Sequence, residues 1–171
     1  VYYASNANYK VRIIGDDGNP ETEGQNVTVL IDNKMKSYKT DKNGFITVEI
    51  DKNFKVGTHT IKIQYRNASV KNKVAVKHLL ALKSATVKKS AKKLVLTASL
   101  AKVNGKYLKN KKITFKFNGK TYKSNTNSKG IAKVTIKSSV LKMLKAGKKV
   151  SYQAIYLKDT VKRTAKILKY V

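Results

Sequence analysis

The chain has 171 residues, with 38 lysines and arginines against nine aspartates and glutamates for a formal charge of +29, and it contains no cysteine, no tryptophan and two histidines. The lack of cysteine excludes disulfides, thiolate catalysis and cysteine-based zinc sites. Hydrophobic residues make up 41% of the chain, enough for packed cores, so the charge does not imply disorder. No stretch approaches the roughly 20 apolar residues that cross a bilayer, and no apolar signal run opens the chain. The start at Val1-Tyr2-Tyr3 reads as the beginning of a piece of a longer polypeptide.

In chain order, apolar residues alternate with polar ones at Tyr9/Val11/Ile13, Val27/Val29/Ile31, Ile46/Val48/Ile50, Ile61/Ile63/Tyr65 and Val74/Val76. After an apolar run, His78-Leu79-Leu80-Ala81-Leu82, alternation resumes at Leu94/Leu96/Ala98/Leu100, Ile113/Phe115/Phe117, Ala132/Val134/Ile136, Tyr152/Ala154/Tyr156 and Ala165/Ile167. Period two predicts strands with one face on a core and the other in water. Asn104-Gly105 and Asn118-Gly119 are hairpin signals, because both residues tolerate the positive φ of tight turns. Asp41-Lys42-Asn43-Gly44 and Ser128-Lys129-Gly130 read as slightly longer hairpin loops. One helix-like stretch, residues 139–144, amounts to a turn or two.

The chain also repeats itself. Val27-Thr28-Val29-Leu30-Ile31 matches Ile113-Thr114-Phe115-Lys116-Phe117 at an offset of 86 residues, as Thr40-Asp41-Lys42-Asn43-Gly44 matches Thr126-Asn127-Ser128-Lys129-Gly130. Near the end of each copy the offset grows to 91, where Ile61, Ile63 and Tyr65 fall on Tyr152, Ala154 and Tyr156. Short antiparallel strands with frequent turns, given twice, predict an all-β chain of two tandem immunoglobulin-like β-sandwiches, residues 1–80 and 81–171. Residues 77–85 read as a short apolar joint that makes a semi-rigid rod.

Charge divides the halves. Residues 1–80 carry 13 basic and eight acidic residues, a formal +5; residues 81–171 carry 24 lysines, one arginine and the single acid Asp159, a formal +24. Such an excess predicts an acidic partner for the second half: nucleic acid, an anionic membrane or an acidic wall polymer. Lysine almost to the exclusion of arginine favours diffuse attraction over bidentate base or phosphate readout. Phe115, Phe117, Tyr152 and Tyr156, which could stack bases, fall at core-facing positions, so nucleic acid is the weaker reading.

The motifs Asn118-Gly119-Lys120-Thr121-Tyr122, Thr126-Asn127-Ser128-Lys129-Gly130, Leu144-Lys145-Ala146-Gly147 and Tyr156-Leu157-Lys158-Asp159-Thr160 carry a resemblance. So do Ile14-Gly15-Asp16-Asp17-Gly18-Asn19-Pro20 and Val56-Gly57-Thr58 in the first copy. Together they resemble the immunoglobulin-like repeats of archaeal and bacterial surface proteins, above all the lysine-rich copies that end large adhesin-like proteins of methanogenic archaea. The resemblance implies an extracellular, cell-surface location and a stalk or adhesion role, with other cells met by regions outside this segment. It brings no catalytic residues.

Individual residues support no chemistry. His59 and His78 lie 19 residues apart with no spaced acids to complete a ligand set, and read as ordinary surface or joint residues. Asp16, Asp17, Asn19, Glu21 and Glu23 form an oxygen-rich loop of the kind that suits calcium, but their spacing fits no calcium motif and a solvated loop is the reading. Glycosidic chemistry needs two nearby carboxylates, which the second half with Asp159 alone cannot supply. A lysine–asparagine isopeptide bond needs a buried acid; alternation points Glu49 to water, and Asp159 falls in a turn. Neither enzymatic activity nor any metal or cofactor is implied. Asn26-Val27-Thr28 and Asn67-Ala68-Ser69 match the N-glycosylation sequon for an exported chain. Lys116, Lys133 and Lys137 alternate with core residues and project from sandwich faces, while Lys109, Lys111, Lys112, Lys120, Lys148 and Lys149 sit at strand edges and turns. These nine lysines are the candidate contact with an acidic cell-wall or surface polymer; keeping the chain soluble and guarding strand edges is the competing role.

Overall fold

Strands with one apolar face can only be satisfied by facing a second sheet, and the computed structural model, which describes residues 1–169, realises that arrangement twice. It divides into a unit of Val1–Lys77 and a unit of His78–Val171. None of the alternating apolar residues named above is exposed.

In the first unit, β1 (Ala7–Arg12) pairs with β4 (Phe45–Ile50), while β2 (Asn26–Ile31), β3 (Lys34–Lys39), β5 (Gly57–Tyr65) and β6 (Ala68–Val76) form a sheet in the order β3-β2-β5-β6. Val27, Val29, Ile46, Val48, Ile61 and Ile63 meet between these sheets, all nearly or completely buried. Tyr2 adds a parallel bridge to Lys77 at the end of β6, and Tyr3 beside it is fully buried.

In the second unit, β7 (Leu80–Leu82), β9 (Lys93–Leu100) and β12 (Ile131–Lys137) form one sheet in the order β12-β9-β7. The other holds β8 (Val87–Lys88), β10 (Lys112–Phe117), β11 (Lys120–Asn125), β13 (Lys149–Tyr156) and β14 (Asp159–Leu168), in the order β11-β10-β13-β14-β8. A single turn of helix, α1 (Ser138–Leu141), follows β12 and buries Val140 and Leu141. Phe115 and Phe117, both fully buried, pack with Ile113, Leu96, Tyr152 and Ala154 in this core.

The repeat is visible in individual bonds. Thr40 Oγ1 accepts from Gln25 N at 2.9 Å and donates to the Thr22 carbonyl at 2.6 Å; Thr126 Oγ1 accepts from Lys111 N at 2.9 Å and donates to the Leu108 carbonyl at 2.6 Å. Both threonines are about 2–3% exposed, and each ties the incoming loop to the start of the next hairpin. One residue on, Asp41 and Asn127 each accept from backbone N–H groups two and four residues ahead, which closes both loops. Those loops end at Gly44 and Gly130, at φ of 80° and 72°, where a Cβ would sit 3.0–3.1 Å from a backbone oxygen. Only glycine meets both demands.

Two features differ from the sequence reading. The apolar run at residues 78–82 is no joint: Leu79, Leu80 and Leu82 are 1–2% exposed, and β7 pairs with β9 as the edge strand of the second unit. Leu80 and Leu82 face the core while Ala81 is exposed, but because Ala81 is itself apolar the run shows no alternation, and period counting cannot distinguish such a strand from a packed linker. The sequence also gave no sign of the β2–β3 hairpin, because β3 carries polar residues on both faces and leaves Met35 75% exposed. Its turn, Asp32-Asn33, holds both residues at positive φ like Asn118-Gly119 in the equivalent hairpin.

Thr126→Val keeps the shape but strands the Lys111 N–H and the Leu108 carbonyl in a buried site, and should destabilise the second unit by about 1–3 kcal/mol in denaturant unfolding. Thr126→Ser, which keeps the hydroxyl, should recover most of that loss.

Candidate polyanion-binding face

The second unit has one side-chain carboxylate, and it is inside. Asp159, expected from the sequence in a turn, is instead the first residue of β14 and 0% exposed. Its Oδ2 accepts the backbone N–H groups of Leu79 and Leu80 at 2.8 and 3.0 Å, and its Oδ1 lies 2.5 Å from His78 Nδ1. A charge taken from water is tolerable only when donors replace its hydration, and here two amides and an imidazole do so. His78, read from the sequence as a joint residue, is thus part of the clasp that seats β7. Tightening the same seam, Arg163 Nε donates to the Leu82 carbonyl at 3.0 Å and Ala85 N donates to Tyr152 Oη at 2.8 Å.

With Asp159 buried, every exposed side-chain charge on this unit is positive. The outer face of the five-stranded sheet concentrates that charge. Alternation sends Ile113, Phe115, Tyr152 and Ala154 inward, so Lys116 and its cross-strand neighbours turn out. Register sets Thr121, Lys116, Gln153 and Lys162 side by side on four adjacent strands, and pairs Ser151 with Thr164 on the same face. Lys116, Asn118, Ser151, Gln153, Lys162 and Thr164, with Tyr152 and Arg163, line a shallow depression of about 390 Å³. Cations, amides and hydroxyls in one depression suit a ligand that carries both carboxylates and hydroxyl groups. Like charges also stand directly opposite one another, Lys149 against Lys166 on this sheet and Lys93 against Lys137 on the other, a placement that destabilises the fold. The first unit has one such pair, Lys62 against Lys71, within a surface that also carries acids.

The nine candidate lysines scatter over this unit. Lys112 and Lys116 belong to β10, Lys120 to β11 and Lys149 to β13, all in the five-stranded sheet. Lys133 and Lys137 lie on β12 of the other sheet, and Lys109, Lys111 and Lys148 in loops. Only Lys116 of the nine lines the depression; a second shallow pocket, between the sheets, brings Lys120 and Lys137 together. Lys162 and Thr164 escaped sequence reading because β14 begins with no apolar alternation to fix its register; Ser151 and Gln153 alternate with Tyr152 and Ala154, but their place beside Lys116 and Lys162 depends on pairing between strands.

In the first unit the oxygen-rich loop is occupied locally. Asp17 caps the turn by accepting from Asn19 N, which with the Asn19 side chain holds its carboxyl below the usual range, and Glu21 lies 3.9 Å from Arg66. Among the described residues no three histidine or acidic side chains gather to hold a metal ion. Glu49 is exposed, as are the sequon asparagines Asn26 and Asn67. His59 is more than a surface residue: Nδ1 meets Asp32 Oδ2 at 2.5 Å and Nε2 meets the Lys55 carbonyl at 2.6 Å. Two acceptors require both ring nitrogens to donate, which describes the imidazolium. Burial, the largest single influence, opposes that charge, but the Lys55 carbonyl and Asp32 outweigh it and raise the ring's pKa above its ordinary 6.5. The His59 bond, with the Thr60 N–H, lowers Asp32 below its ordinary 3.8.

No family model matches the chain, and no curated protein matches it. Solved structures do. The I9–I11 tandem from titin aligns over 99% of this chain and 62% of its own, with a TM-score of 0.50 at 11% identity. Invasin, a bacterial integrin-binding protein, aligns over 98% of this chain and 37% of its own at 12% identity and a TM-score of 0.41. A 1.5-MDa bacterial ice-binding adhesin aligns over 98% and 60% at 13% identity and a TM-score of 0.35. The chain thus spans about 37–62% of the lengths of these proteins. At such identities the likeness concerns the fold. The chain is all-β, two immunoglobulin-like sandwiches in succession.

Asp159→Ala should release β7, with faster amide exchange at Leu79 and Leu80 and a loss of about 2–5 kcal/mol from the second unit. For His59, the raised pKa contributes stability that is complete below 6.5 and is lost as pH rises through the folded-state value; the lowered Asp32 pKa contributes above 3.8 and is lost in acid. The first unit's advantage over a His59→Gln variant should therefore peak between those values and shrink from pH 6 to pH 8 in thermal melts.

Proposed function

We propose that this is a non-enzymatic segment of an extracellular, cell-surface protein of adhesin type. The second unit binds acidic cell-wall or surface polymer, and the first, nearly balanced in charge, is a spacer. The observation that carries the reading is the burial of Asp159, which leaves 24 lysines and one arginine on the second unit without a single exposed carboxylate side chain among its described residues. Solubility alone does not require opposed lysine pairs; a bound polyanion neutralises them. The depression around Lys116, Gln153 and Lys162 is the focus of the contact, and the scattered lysines, Lys109, Lys111, Lys112, Lys120, Lys133, Lys137, Lys148 and Lys149 among them, extend it. Each exposed pair contributes only about 0.2–1 kcal/mol, so a repeating polymer that engages many at once is a better ligand than a small anion. Asn26 and Asn67 are proposed glycan acceptors on the spacer. No helix among the described residues is long and apolar enough to cross a membrane.

Retention on immobilised polygalacturonate, on a neutral glucan and on duplex DNA tests the reading. Binding to the polyuronate should exceed binding to both others, and should weaken by about tenfold or more between 50 and 500 mM salt. Lys116→Gln with Lys162→Gln should weaken it about threefold to tenfold without altering the melt. Salt-independent retention, or DNA bound more tightly than the polyuronate, would overturn the proposal.

A further inference from the structure

The depression on the five-stranded sheet has an internal order that net charge alone does not require. Register sets Lys162 of β14 opposite Gln153 of β13, Gln153 opposite Lys116 of β10, and Lys116 opposite Thr121 of β11. A line drawn across the strands thus meets a cation, an amide, a cation and a hydroxyl. Thr121, on the edge strand, also lines the second pocket, of about 640 Å³, together with Lys120, Lys137, Ser139 and the half-buried Tyr122. The two depressions therefore meet at β11, and the next station beyond Thr121 is again cationic. The flanking rows lack this order. On one side Ser151 stands opposite Thr164 without a charge, and the opposed pair Lys149 and Lys166 lies one row further. On the other side the row runs Lys123, Thr114, Ile155, Thr160, with one lysine and an aliphatic residue in the middle. Arg163, the remaining cation at the depression, stands opposite the core residue Tyr152 and donates Nε to the Leu82 carbonyl at 3.0 Å, out of the row.

We infer that this row binds one extended acidic glycan that lies across the strands and alternates acidic with neutral sugars. The inference rests on the polyanion reading above and specifies its ligand. Adjacent strands lie about 4.8 Å apart, so successive cations of the row stand about 10 Å apart. An extended pyranose residue is about as long as one strand step, so each sugar meets one station. Carboxylates fall at Lys162, at Lys116 and between Lys120 and Lys137, and neutral sugars at Gln153 and Thr121. Gln153 offers a carbonyl acceptor as well as an amide donor, and Thr121 a hydroxyl that does both. Those groups suit the hydroxyl and acetamido groups of a neutral sugar better than a second carboxylate, which has no use for an acceptor. At the last station Tyr122 adds an aromatic ring for the apolar side of a sugar. Duplex DNA presents a phosphate about every 3.4 Å along each strand, a density that the row does not match.

A hyaluronan hexasaccharide, glucuronate alternating with N-acetylglucosamine, tests this against hexagalacturonate and trigalacturonate, each titrated into the full chain at low salt. The alternating chain carries three carboxylates, as trigalacturonate does, and should bind about tenfold or more tighter. It should match or exceed hexagalacturonate, which carries six. The amides of Lys116, Thr121, Gln153 and Lys162 should shift together in NMR spectra as it binds. Lys116→Gln with Gln153→Lys moves a cation out of phase at constant net charge. It should weaken the alternating chain about threefold to fivefold and leave hexagalacturonate, with an acid on every sugar, little changed. Because that variant sets two lysines opposite each other, Lys116→Gln with Thr121→Lys makes an equivalent shift at the exposed sheet edge, with the same expected result. Affinity that follows carboxylate number alone, or shifted variants that keep full affinity for the alternating chain, would overturn the inference and leave the polyanion reading standing. So would failure of the alternating hexasaccharide to bind while polygalacturonate is still retained; loss of polygalacturonate as well would overturn both.

Discussion

A single buried carboxylate ties the architecture of the second unit to its surface. Asp159 holds the first strand of the unit through two backbone amides and His78, and its removal from water leaves the exterior with lysine and one arginine and no side-chain carboxylate. Burying an isolated carboxylate is strongly unfavourable, so the site persists only because three donors converge on it. Loss of any one of them would leave either an unpaired charge or an open edge. The clasp therefore makes β7 an integral strand although its sequence resembles a linker.

The two copies share a frame and differ at that clasp. Both share the threonine that ties its loop by the same two bonds, the same capping loop and the same positive-φ glycine, so their frames are alike. At the position of Asp159 the first copy has Ala68. Lys10 and Arg12 on the outward face of β1 are the kind of residues that restrain indiscriminate strand pairing.

Electrostatics in the second unit run against stability. Lys149 with Lys166 and Lys93 with Lys137 repel across adjacent strands, and no exposed acid offsets them. Such repulsion is weak singly and is screened beyond about 8 Å at physiological ionic strength. Summed over a small domain it favours any polyanion that settles on the face. The hydroxyls and amides among the lysines add directional contacts that charge alone would not give.

Alternation and repetition in the amino-acid sequence determined the all-β class, the two copies, the inward positions of the strands that alternate, and the loops that end at Gly44 and Gly130. These are local properties: a period of two fixes which side faces the core, and a left-handed turn demands glycine or asparagine. Tertiary structure alone decided the rest. It made a strand of residues 80–82, buried Asp159 some 80 residues away against their backbone, set His59 between Asp32 and the Lys55 carbonyl, and placed Lys116, Gln153 and Lys162 in one row. Each depends on register between strands distant in sequence, and register is set by packing rather than by the composition of any one strand.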